Sequence, residues 1–245
     1  MLRQCIAANG CDALVCAEAP CGSVTHALAT TSSTRRAREN DDIRVGLLAD
    51  EASGHFVRMC LTMSSTLYDI PVRTLAGEPT TLRAYAGHVL LIVNVASKCG
   101  LTPQYASLEK AFETQRERGL AVLGFPSNQF MAQEPGTPDE IATFCSTTYG
   151  VQFPLFEKID VNGDARHPIY DALVAAQPDA LEKDDSFRQN LAKYGVKKET
   201  PGDVFWNFEK FLVARDGSIV GRFAPDVTVD DAILHDAIER ELAAT

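Results

Sequence analysis

The chain is 245 residues long and 45% hydrophobic, with a formal net charge of -10 at pH 7. That length suits one large domain plus an appendage, and no apolar run approaches the roughly 18–20 residues a membrane-spanning helix needs. The acidic balance argues against nucleic acid, which is gripped through clustered Lys and Arg. Seven cysteines are too few for a disulfide scaffold and point to a reducing, cytoplasmic setting.

Residues 1–62 hold Cys5, Cys11, Cys16, Cys21 and Cys60, a Ser/Thr tract at 30–34 and the basic cluster Arg35, Arg36 and Arg38. No period of 2 or 3.6 is sustained there, so a poorly structured N-terminal extension is expected. Met63 reads as the natural start, with 1–62 an upstream extension of the reading frame. Asn9 and Asp12 interrupt any apolar signal core, and the cysteine spacing matches no C-x-x-C zinc pattern. The folded domain is expected over 63–245.

Within it, Asp69–Leu75 and Thr80–Leu82 flank the turn Ala76-Gly77-Glu78-Pro79 and read as a short hairpin. His88–Ser97 is an apolar, β-branched run of buried-strand type. Thr102–Arg118 reads as a helix, with Pro103 in its first turn and Tyr105, Leu108 and Phe112 on one face. Leu120–Pro126 is a second buried strand. Thr137-Pro138-Asp139-Glu140 forms a capping box that opens a helix to about Tyr149. A strand is expected over Phe153–Asp160 and a helix from about Pro168 to Ala176, after which the polar stretch 177–204 interrupts the pattern. Strands Asn207–Ala214 and Ser218–Phe223 meet at the turn Asp216-Gly217. The last helix, Val229–Ala243, offers Ile233, Leu234, Ala237, Ile238 and Leu242 as its buried face. This alternation predicts a mostly parallel sheet covered by helices, with a final antiparallel hairpin at its edge. The fold class is α/β, a thioredoxin-like sandwich with a central mixed sheet flanked by helices.

Cys99 follows a buried strand and precedes a helix, which places it at the carboxyl edge of the sheet, where open α/β folds build their sites. Helix N-terminal N–H groups favour thiolate over thiol, Lys98 adds a cation, and Gly100 leaves room for a substrate. The plain alternative is an inert cysteine at a strand end. The segment Phe125–Gly136 follows the second strand to the same edge and is rich in amides, Gln133 among them. Trp206-Asn207 opens a later strand with an indole N–H and a carboxamide. Neutral donors around a thiolate stabilise it while leaving it nucleophilic.

Three segments, Asn94–Tyr105, Phe125–Gly136 and Trp206–Val213, together resemble the glutathione peroxidase family over roughly residues 65–243. The resemblance implies a thioredoxin-like fold and reduction of hydrogen peroxide and organic hydroperoxides, as in a response to oxidative stress. It makes Cys99 the peroxidatic residue, with Gln133, Trp206 and Asn207 completing a catalytic tetrad. The peroxiredoxin pattern fits less well, because the Thr it places three residues before its reactive cysteine is Ala96 here. Cys99 stands where the best-known members carry selenocysteine, so slower chemistry is expected. Met131 replaces the usual Gly after Asn-Gln-Phe, and Ser127 takes a position that is Cys in many thiol-based members.

Ile141, Phe144 and Cys145 form a helical stripe that reads by itself as core packing. The run Glu140–Cys145 also resembles the segment that carries the resolving cysteine in thiol-based, thioredoxin-dependent members. A disulfide needs Cα atoms within about 4.4–6.8 Å, so bridging Cys145 to Cys99 would require the helix to unwind locally. The reductant implied is thioredoxin, or glutathione in a one-cysteine cycle; a peroxide-sensing relay to a partner protein is a further reading. No organic cofactor or metal is expected, and the assembly state stays open. His88, His167 and His235 read as satisfied surface groups. Asp184-Asp185 reads as a solvated loop and Asp230-Asp231 as a helix N-terminus, not as acid/base dyads.

Overall fold

The computed structural model describes residues 66–196 and 200–244, so the expectations for 1–62 and for Met63 lie outside the described residues. The elements run β1 (Pro71–Arg73), β2 (Pro79–Thr81), β3 (Val89–Val95), α1 (Gln104–Gln115), β4 (Leu120–Pro126), α2 (Pro138–Tyr149), α3 (Pro168–Ala176), α4 (Ser186–Ala192), β5 (Lys210–Val213), β6 (Ile219–Phe223) and α5 (Ala232–Ala243). Strands β1 and β2 form the expected hairpin, shorter than read. The central sheet has the order β4-β3-β5-β6. All seven residues of β3 and all seven of β4 are buried, as their unbroken apolar runs require.

The sheet is mixed, as expected, although only one of its strand pairs is parallel. β3 pairs with β4 in parallel, while β5 lies antiparallel on the other side of β3 and β6 antiparallel to β5. The final hairpin therefore supplies an inner strand as well as an edge. The expected strand at Phe153–Asp160 does not form. Pro154 has no N–H to give a ladder, and the segment is held along β4 by isolated bonds: Gly124 N–H to Pro154 O (2.9 Å), Phe156 N–H to Gly124 O (2.9 Å) and Ile159 N–H to Pro126 O (3.0 Å). Burying Phe156, stacked on Phe125 at 4.6 Å, keeps it there.

The helices follow their capping signals. The Thr137 side chain accepts the Glu140 N–H while Glu140 returns a bond to the Thr137 N–H, and Gly150, at φ 65°, ends α2 in the left-handed region. α5 starts three residues later than expected. Its buried stripe is Leu234, Ala237, Ile238 and Leu242, and Ile233 is 42% exposed because it lies about 100° round the helix from Leu234. Within the polar stretch, α4 forms where Phe187 meets Phe205 edge-on at 6.3 Å and Arg188 covers the same ring at 4.8 Å.

The loop after β4 passes through a backbone region that favours glycine. Met131 and Ala132 sit at φ 51° and 52°, a region that costs a residue with a Cβ about 1–2 kcal/mol. Met131 is 65% exposed and has little packing to offset that strain. Met131→Gly is expected to raise stability by about 0.5–1 kcal/mol after glycine's greater unfolded-state entropy. The midpoint should rise by about 1–4 °C; an unchanged or lower midpoint in thermal denaturation would refute this.

Candidate active site

Three segments converge on one edge of the sheet, and the strand register explains why. β3 and β4 end side by side, with Val95 opposite Pro126. β5, running the other way, begins opposite the end of β3, with Lys210 opposite Val93. The turn carrying Cys99, the loop carrying Gln133 and the loop carrying Trp206 and Asn207 therefore share that edge.

Cys99 is 8% exposed in a turn that leads into α1. Its Sγ accepts the Leu101 N–H at 3.4 Å, and its own N–H donates to Thr102 Oγ1 at 2.9 Å. The Thr102 hydroxyl in turn donates to Ala96 O at 2.9 Å. α1 proper starts at Gln104, so this turn, rather than the helix end expected from sequence, offers an N–H to the sulfur. A Cβ built at Gly100 meets nothing within 4 Å, which leaves the approach beside Cys99 open.

The loop after β4 is tied to this turn through the Lys98 N–H to Gln133 O (3.0 Å) and the Ser127 N–H to Val95 O (3.1 Å). Asn207 Nδ2 donates to Gln133 Oε1 at 2.9 Å, so those two amides meet and the Gln133 NH2 group remains available to donate. Trp206 is 5% exposed, with its ring 5.5 Å from that of Phe130. Trp206 and Asn207 do not open a strand as expected. Phe208 adopts φ 67°, which breaks extended backbone before β5.

Asn94 fixes that loop and was not singled out in the sequence reading. Wholly buried in β3, it donates from Nδ2 to Trp206 O (3.0 Å) and accepts the Glu209 N–H at Oδ1 (3.0 Å). Its backbone oxygen also accepts the Phe208 N–H at 2.6 Å. Lys210 and Arg222 brace the same region from behind. Lys210 Nζ donates to Gln104 Oε1 (2.6 Å), Pro225 O (2.8 Å) and Val227 O (2.6 Å), three acceptors for the three N–H of an ammonium. Burial pulls its pKa down to about 7, against the charges of Asp226 and Glu209. Arg222 Nε donates to Glu209 Oε1 at 2.5 Å, and Glu209 Oε2 accepts the Phe205 N–H at 2.7 Å. One signal marks all three residues in the sequence: an amide or charged side chain inside an apolar strand run.

Cys145 lies in the unbroken α2, 1% exposed, and both Cys99 and Cys145 are free thiols. Burial pushes the Cys145 thiol up to about 11; the Tyr105 phenol opposes this and the Glu134 charge adds to it. Glu134 is itself wholly buried. Its Oε2 accepts the Ser97 hydroxyl at 2.9 Å, and its carboxyl is raised by burial, against the Ser97 hydrogen bonds and the charges of Lys158 and Lys98. His167 caps α3, its Nδ1 accepting the Ile169 N–H at 3.3 Å, whereas the buried Nδ1 of His88 lacks the partner expected for it. Among the described residues no His, Cys, Asp and Glu group could hold a metal ion, and no helix is long and apolar enough to cross a membrane.

Comparison with known proteins places this edge in context. A family model described as glutathione peroxidase matches residues 67–174. The Thioredoxin/glutathione peroxidase BtuE of Escherichia coli K12 is 51% identical over 182 residues, covering 74% of this chain and 100% of that protein. The Hydroperoxy fatty acid reductase gpx1 of a Synechocystis strain is 43% identical over 173 residues, covering 71% of this chain and 95% of that protein. Among solved structures, T. cruzi GPX1 superimposes with a TM-score of 0.51 at 32% identity, covering 74% of this chain and 98% of that one.

Proposed function

This chain belongs to the glutathione peroxidase family and is a peroxidase that draws on a thiol reductant; from that premise we propose that it reduces hydroperoxides through a two-cysteine cycle in which Cys99 is oxidised and Cys145 resolves it. The observation that carries the reading is the convergence of the Cys99 sulfur, with its Leu101 N–H, and the bonded Gln133–Asn207 amide pair on one sheet edge.

The Cys99 thiolate attacks the terminal peroxide oxygen. The O–O bond breaks, the sulfur keeps the hydroxyl as a sulfenic acid, and the other oxygen leaves as water or an alcohol after taking a proton. Gln133 Nε2 and the Trp206 indole N–H hold the peroxide and the developing negative charge, and Asn207 orients Gln133. Cys145 then condenses with the sulfenic acid to a disulfide, releasing water. Since α2 keeps Cys145 buried, that step requires α2 to open locally. The substrates are hydrogen peroxide and organic hydroperoxides, in keeping with the name of the Synechocystis relative. Thioredoxin is the reductant of the disulfide, and the E. coli relative's name carries thioredoxin beside glutathione. The cycle needs no metal or organic cofactor and suits a reducing, cytoplasmic thiol pool.

Intact-mass spectrometry after one equivalent of hydroperoxide tests the cycle. The wild type should lose two hydrogens and regain them with thioredoxin, while Cys145→Ser should stop at a gain of one oxygen. Undiminished thioredoxin-driven turnover in Cys145→Ser would remove Cys145 from the cycle, and turnover with glutathione alone would replace the reductant.

A further inference from the structure

Glu134 is an odd residue to find where it stands. A wholly buried carboxyl normally has both oxygens satisfied, yet Oε1 has no hydrogen-bond partner among the described residues while Oε2 takes the Ser97 hydroxyl. Its backbone is also fixed, with its N–H donating to Asn128 Oδ1 at 2.8 Å. On one side Glu134 is thus bonded to the turn of Cys99, two residues beyond Ser97. On the other it faces α2: Glu134, Ser97 and Lys98 line a cavity of about 440 Å³ together with Ile141 and Phe144. Ile141 and Cys145 are one turn apart on the same buried helical face.

The resolving step has a proton problem that this position answers. The nucleophile is the thiolate, so the Cys145 thiol must give up its proton as α2 opens. The leaving group, hydroxide from the Cys99 sulfenic acid, must meanwhile gain a proton.

Resting on the two-cysteine reading above, we propose that Glu134 is the proton relay of the resolving step, taking the Cys145 thiol proton and passing it to the hydroxyl that leaves Cys99. The S–S bond forms as the S–O bond breaks, the sulfenic acid is the oxidant, and one proton moves from sulfur to oxygen to complete the released water. A carboxyl suits both halves of the transfer, and burial raises its pKa in the direction of the working pH, which makes it a better base. Ser97, Lys98 and Lys158 adjust the carboxyl, Tyr105 sits against the Cys145 thiol, and Glu140 lines the same cavity.

A stoichiometric hydroperoxide pulse, followed by timed acid quench and mass analysis, separates Cys99 oxidation from disulfide formation. Glu134→Gln keeps the shape and an acceptor for Ser97 but cannot carry the proton. It is expected to slow disulfide formation by about 100-fold or more and to remove the carboxyl's limb from the pH profile of that phase. Glu134→Ala should be slowed likewise and regain rate with added formate, which a merely structural role would not allow. Disulfide formation at the wild-type rate in Glu134→Gln, or no response of Glu134→Ala to formate, overturns the relay. The control is Cys145→Ser: undiminished turnover there sinks the two-cysteine reading itself, whereas a stalled Cys145→Ser beside an unimpaired Glu134→Gln sinks the relay alone.

Discussion

Replacing Cys99 with Ser is expected to lower peroxide turnover by about 1000-fold or more, or about 4 kcal/mol of lost transition-state stabilisation. The exchange leaves the shape of the turn intact. The Leu101 N–H still finds an acceptor, and the Thr102 bonds to Cys99 N–H and Ala96 O do not involve the side chain replaced. What is lost is the nucleophile. A serine hydroxyl stays protonated at neutral pH and holds its electrons tightly, whereas sulfur is polarisable and readily carries the charge that attacks a peroxide oxygen. Stopped-flow peroxide consumption with excess reductant measures the effect, and thermal denaturation should show the variant folded. Activity within tenfold of wild type would place the chemistry on another residue.

Arg222→Met is expected to have the largest effect on stability. The guanidinium is 1% exposed and satisfies, besides Glu209, the carbonyls of Gln177 (3.1 Å), Pro178 (2.8 Å), Gly202 (2.9 Å) and Asp203 (2.7 Å). It gathers both ends of the 177–203 segment onto β6. Methionine fills part of the volume and donates nothing, so four carbonyls and the Glu209 carboxylate lose the guanidinium as a donor. Breaking a buried pair from one side costs about 3–5 kcal/mol, which in a domain of this size lowers the midpoint by about 6–20 °C. Adding Glu209→Gln should recover part of the loss, because a neutral amide loses less than a carboxylate when the guanidinium is removed. A midpoint within about 2 °C of wild type in the single variant would refute the account. The same loss should reach the active site, since Glu209 also accepts the Phe205 N–H beside Trp206.

Much of the fold was legible because apolar runs and caps are local signals. Val89–Val95 and Leu120–Pro126 are buried at every position, and Thr137 to Glu140 closes the capping box that its spacing announces. Phe153–Asp160 misled because its apolar residues were weighed above Pro154, which already argues in the sequence against a laddered strand. Trp206-Asn207 was read as a strand start because a sequence does not display the φ of Phe208. Ile233 was read as buried because it adjoins the stripe that Leu234 begins, and α4 was missed because much of its support, the Phe205 ring, comes from a separate loop.

The sequence by itself determined where chemistry could sit, because the ends of adjacent parallel strands must open on one edge and Cys99 and Gln133 each follow such an end. Only the tertiary structure decided which polar groups meet there. Asn207 reaches Gln133 across 74 residues, Asn94 holds Glu209 across 115, and Ser97 holds Glu134 across 37. Hydrogen bonds are directional over about 3 Å, so each pairing depends on loop conformations that packing selects and no local pattern encodes.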